Sequence, residues 1–99
     1  MIKHVVFMKF KKDTRPEDIE SVEKGLGSLP GIIPEIKYYD FGRDVLHTER
    51  SFDFALVSGF DSLESMQRYI NNPQHQTVAK KCRDLSDSIV VVDFESSVG

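Results

Sequence analysis

Apolar positions along the chain follow two periods, and together they predict an alternation of strands and helices. From Ile2 to Lys11 the residues Val5, Val6, Phe7 and Met8 are apolar without a break, the pattern of a strand buried on both faces. Period two sets His4, Val6, Met8 and Phe10 on one side and Val5 and Phe7 on the other. Thr14 and Glu17 then have capping-box spacing with Pro16 between them, which predicts a helix start. Ile19, Val22, Leu26 and Leu29 recur at helical intervals, leaving Glu20, Glu23 and Lys24 for the wet side. Gly25 and Gly27 each weaken that helix by about 1 kcal/mol relative to alanine, which suits a frayed last turn or a close approach to another element. Pro30-Gly31 and Pro34 mark a loop.

A second strand is expected from Glu35 to Gly42, carrying Ile36, Tyr38, Tyr39 and Phe41, with a charged connection through Arg50 after it. Ser51 to Phe60 reads as a third strand, with Phe52, Phe54, Leu56, Ser58 and Phe60 opposite Asp53, Ala55, Val57 and Gly59. Asp61 or Ser62 can cap a helix bearing Leu63, Met66 and Ile70, with Tyr69 at its end. Asn72-Pro73 closes it and opens another. In that helix His75, Val78, Ala79, Cys82 and Leu85 form one stripe, so His75 faces inward. Ser88 to Glu95 is a final strand without polar alternation until Asp93. The order β-α-β-β-α-β is that of an α+β, ferredoxin-like fold with a four-stranded antiparallel sheet. Its helices cover one sheet face, yet the first and last strands look apolar on both. A second copy of the chain is the simplest cover, giving a two-fold homodimer whose sheets pack together as an α+β barrel.

Composition narrows the function classes. Residues 1–99 are expected to form a single domain, and 39% apolar with 29% charged residues is ordinary for a globular chain with no membrane span. The opening Met1-Ile2-Lys3-His4 reads as strand, not as a secretory leader, and one cysteine, Cys82, suits a reducing compartment, so a cytoplasmic location is the default. A formal charge of −3 argues against a nucleic-acid partner. The basic cluster Lys80, Lys81 and Arg83 reads as a solvated helix face, and His47 as exposed.

Lys3-His4-Val5-Val6-Phe7-Met8-Lys9-Phe10, Leu29-Pro30-Gly31-Ile32, Ala55-Leu56-Val57-Ser58, Tyr69 with Pro73-Gln74-His75, and Val90-Val91-Val92-Asp93-Phe94 together resemble the Dabb family, the stress-responsive A/B barrel domains of the dimeric α+β barrel superfamily. The resemblance spans nearly the whole chain. It implies a homodimer with the barrel between sheets, in a family that holds heat-stable structural proteins, domains of unknown role and a cofactor-free plant polyketide cyclase. In the cyclase branch a Tyr-His pair promotes aldol cyclisation, and the resemblance carries those positions to Tyr69 and His75, with His4 and Asp93 matching other polar pocket groups. Asn72 stands where the family often has His, and a pocket tyrosine and histidine of the cyclase fall near Leu26 and Phe54, which implies a different substrate.

The residues themselves suggest acid-base chemistry. Asp93 near the end of the last strand meets His4 near the start of the first, and a carboxylate on one imidazole nitrogen fixes the tautomer and leaves the other free. His75 can face the same cavity while Tyr69 donates to a carbonyl or enolate oxygen. Apolar positions on the helix-facing side, Val6, Met8, Val22, Leu26, Leu56, Ile70, Val78, Ile89 and Val91, are expected to line a small pocket for an apolar or carbonyl-containing ligand. No cofactor is called for, and the spacing of His4, His75 and Asp93 gives no local metal chelate. Three readings stay open: a cofactor-free cyclase or lyase, a non-catalytic stress-responsive or ligand-binding dimer, and a cofactor-free monooxygenase-like enzyme. Strand-end pairing of His4 with Asp93, a helix-end bond for His75 and a core role for Tyr69 are the structural alternatives.

Overall fold

A computed structural model describes residues 1–98. Its elements are β1 (Ile2–Phe10), α1 (Pro16–Ser28), a 3₁₀ turn (Leu29–Gly31), β2 (Tyr38–Arg43), β3 (Phe54–Phe60), α2 (Leu63–Asn71), α3 (Pro73–Leu85) and β4 (Ser86–Glu95). The strands form one sheet in the order β2-β3-β1-β4, each neighbouring pair antiparallel, which is the ferredoxin-like fold. β1 is central and β4 is an edge.

Residues directly opposite in an antiparallel ladder share a face. The register pairs His4, Val6 and Met8 with Asp93, Val91 and Ile89 on one side and with Ser58, Leu56 and Phe54 on the other. This row looks toward the helices. It meets Val22, Leu26, Met66 and Tyr69, all buried, and so forms the core. On the reverse face Val5 lies opposite Val92 and Phe7 opposite Val90. Among the described residues no helix or strand packs over that side: Phe7 and Val90 are each 43% exposed, Phe94 48% and Val92 63%.

Several boundaries differ from those expected. α1 is capped at Arg15, not Thr14, because Pro16 at its first position holds the preceding residue extended (φ −90°, ψ 156°). The Arg15 backbone N–H donates to Asp18 Oδ2 at 3.1 Å, and Thr14 Oγ1 instead donates to the Leu85 carbonyl. β2 starts at Tyr38, later than Glu35, and runs one residue past Gly42 to Arg43. β3 starts at Phe54; just before it the Asp53 backbone still bonds to Met8 and Asp44, while its carboxylate receives the Phe10 N–H at 2.8 Å. Phe52 escapes the expected alternation and packs on Phe7 of the reverse face, ring centroids 6.2 Å apart. β4 begins at Ser86, directly after α3, instead of at Ser88. Of the two candidate caps for α2, Ser62 is used, its hydroxyl accepting the Ser65 N–H at 3.1 Å. Gly25 brings α1 against α3: a β-carbon there would stand 3.2 Å from the Val78 methyls, tighter than comfortable packing.

Candidate functional site

A cavity of about 230 Å³ opens between the sheet and helices α1 and α3. Val6, Met8, Leu56, Ile89 and Val91 contribute from the sheet and Leu26, Val78, Ala79 and Cys82 from the helices, with His4, Tyr69, His75 and Arg83 as the polar lining. Two expected lining residues are elsewhere: Val22 is fully buried in the core and Ile70 packs against the core outside the cavity. Ala79, Cys82 and Arg83 line it without having been singled out for it. Val91, on the edge strand, stays 48% exposed, so the cavity reaches solvent on that side.

The break between α2 and α3 builds the polar corner. In an unbroken helix the Ile70 carbonyl would accept from the N–H of Gln74. Asn72 instead caps α3, its side chain taking the Gln74 N–H at 2.9 Å. The freed Ile70 carbonyl is met by His75 Nδ1 at 3.0 Å. A carbonyl only accepts, so Nδ1 carries the proton and Nε2 keeps its lone pair, with no hydrogen-bond partner among the described residues. Burial holds the His75 pKa below its usual value of 6.5, with lesser contributions from the fields of His4 and Arg83, against a raising effect of the Ile70 bond. The ring is therefore neutral and basic at Nε2 near neutral pH.

Tyr69 sits against His75 with ring centroids 4.2 Å apart, and its hydroxyl pairs with that of Tyr39 at 2.9 Å. Tyr69 exposes no surface to water. Burial, and then the neighbouring Tyr39, raise its pKa strongly. Tyr39 is itself pushed up to about 12 by burial, the bond to Tyr69 opposing. Both stay phenols and hence donors. When Tyr39 donates to Tyr69, the Tyr69 proton remains free for a third group. The place of Tyr39 follows from the register Tyr39 to Ser58, which puts it on the helix-facing side.

His4 is 8% exposed, its ring edge-on to Tyr69 at 6.3 Å, and its Nδ1 is hydrogen-bonded to Asp93 Oδ1 across β1 and β4. Its other ring nitrogen remains available. Cys82 is buried, and burial pushes its thiol up to about 11, so it acts as a small apolar wall. Among the described residues no three His, Cys, Asp or Glu side chains stand together as a metal cage, and no helix is long and apolar enough to cross a membrane.

An open-faced α+β sandwich with an apolar cavity and a cluster of two imidazoles and two phenols defines the class. The chain belongs to the stress responsive A/B barrel domain family, Dabb, whose model matches residues 2–96. It is 30% identical over 95% of its length to the stress-response A/B barrel domain-containing protein HS1 of Arabidopsis thaliana, covering 88% of that protein. It is 27% identical to the olivetolic acid cyclase of Cannabis sativa, over 94% of each chain. Among solved structures, a dimeric ferredoxin-like protein of unknown function from Thermobifida fusca matches with a TM-score of 0.89 and 28% identity, over 96% of this chain and 90% of that one.

Proposed function

We propose that this chain forms a cytoplasmic homodimer that catalyses cofactor-free proton abstraction next to a carbonyl, with His75 as general base. The observation that carries the reading is the His75 ring: neutral, fixed in one tautomer by the Ile70 carbonyl, and bordering an apolar cavity with Nε2 unpaired among the described residues. His75 Nε2 takes the proton from the carbon beside the carbonyl. The electron pair left behind moves onto the carbonyl oxygen, and Tyr69, held by Tyr39, donates a hydrogen bond to that enolate. The enolate then either closes on a second carbonyl, whose carbon–oxygen π bond breaks to an alkoxide that takes the imidazolium proton, or is reprotonated at carbon by the imidazolium. The His4–Asp93 pair positions the second imidazole at the same cavity. Likeness to a protein named as a cyclase supports this class of reaction.

The dimer rests on the uncovered row Phe7, Val90, Val92 and Phe94, and on the dimeric description of the Thermobifida fusca neighbour. A free, buried Cys82 suits a reducing compartment.

Deuterium exchange tests the chemistry without the natural substrate. Medium-chain methyl ketones and β-diketones are incubated in D₂O and their α-proton signals followed by NMR. Wild type should accelerate exchange over buffer and His75→Ala should not. Wild-type exchange at the buffer rate for ketones that demonstrably bind would overturn the enzyme reading in favour of a non-catalytic ligand-binding dimer. That second reading is supported by one contact, the commitment of the buried Tyr69 hydroxyl to Tyr39.

A further inference from the structure

The basic cluster of α3 does not act as a unit. Lys80 is paired with Asp84 at 2.8 Å, and the Lys81 ammonium donates to the Ser21 hydroxyl. Arg83 has no carboxylate within salt-bridge distance among the described residues, and it borders the cavity. It follows His75 by eight positions, about 12 Å along a helix axis. Side chains on a helix lean toward its N-terminus, which aims a long residue at this position back toward His75. Its charge is felt there, adding to the burial and the His4 field that lower the His75 pKa.

A ligand filling this cavity brings hydrocarbon against Val78, Ile89 and Val91, while the exposed Arg83 guanidinium stands at the rim where a head group would meet it. A head group without negative charge leaves that cation unpaired. A carboxylate matches the guanidinium fork with two parallel hydrogen bonds, where an alcohol or ketone offers less. We propose that the pocket selects an amphipathic carboxylic acid, its carboxylate held by Arg83 and its apolar chain directed along the cavity toward His75. The inference rests on the pocket reading above and adds the head group and where it sits.

Titration calorimetry of the full chain with octanoate and with 1-octanol, which share an alkyl tail and differ in the head, tests it. Wild type should bind octanoate tighter than octanol by on the order of tenfold or more, the usual advantage of a charge-assisted bond. Arg83→Leu should abolish that preference, and Arg83→Lys should keep part of it. Equal binding of the two ligands to wild type, or a preference that survives Arg83→Leu, overturns the Arg83 assignment and leaves the pocket standing. Failure of both ligands to bind overturns the assignment and the pocket reading together.

Discussion

Placing a charge at Val92 separates a solitary protomer from a dimer. Within one protomer the Val92 side chain is 63% exposed and points away from the helices, opposite Val5. Val92→Asp therefore removes little packing from the subunit itself, and the intrinsic strand penalty is at most about 1 kcal/mol. In a face-to-face dimer the same position is buried. Full burial of a valine is worth about 1.5–3 kcal/mol, so the exposed share lost is ~1–2 kcal/mol per protomer. Two-fold symmetry applies the change twice, giving about 2–4 kcal/mol. That alone weakens association on the order of 10²-fold, and desolvating two unpaired carboxylates weakens it further. Sedimentation equilibrium across a wide concentration range reads the effect, with far-UV circular dichroism as the check on the fold. Wild type should sediment as a dimer and Val92→Asp as a folded monomer at the same concentration. An unchanged dissociation constant in the variant would refute the placement of the interface on this face.

The tyrosine pair makes a second test. Tyr69→Phe leaves the half-buried Tyr39 hydroxyl without its partner and should cost about 1–3 kcal/mol in chemical denaturation, whereas Tyr39→Phe/Tyr69→Phe together should recover part of that loss. Should the double variant be as unstable as the two singles summed, the hydroxyls do not act as a pair. For His75 the direction of the pKa shift sets the pH profile: activity is present above the usual 6.5 and falls only as pH drops through the lowered value. Stability follows the same sense, because the unfolded chain takes up the proton first; the His75 contribution is whole above 6.5 and is lost on acidification, and His75→Gln should flatten that part of the stability-pH curve. Asp93→Asn should leave the sheet intact but change the ring resonances of His4 in NMR, since an amide can present either a donor or an acceptor to Nδ1.

The face of each strand was legible in the sequence wherever alternation ran through a regular ladder. His4, Val6 and Met8 on β1, and Ile89, Val91 and Asp93 on β4, share the helix-facing side because period two admits only two choices and the apolar stripes of the helices settle which. Ladder ends were not legible. Phe52 obeys the parity of β3 on paper, but the strand starts only at Phe54 and Phe52 packs on Phe7 of the reverse face. Tyr39 needed the β2–β3 register, which a long charged connection leaves free. Arg83 is exposed, as a solvated helix face requires, and its second role as a cavity border was not legible. It sits beside two lysines in sequence, yet it borders the apolar stripe, where an arginine stem can line a cavity with its charge at the rim.

β4 lies at the border of the sheet, with one side paired to β1 and its outer backbone groups without a ladder partner among the described residues. Ile89-Val90-Val91-Val92 is a segment that readily templates strand addition, and it is fenced by Asp87 before it and by Asp93 and Glu95 after it. Like charges at these positions oppose pairing of this rim with the rim of another molecule. Neutralising them together by Asp87→Asn, Asp93→Asn and Glu95→Gln should turn a well-behaved solution into one that scatters light on standing.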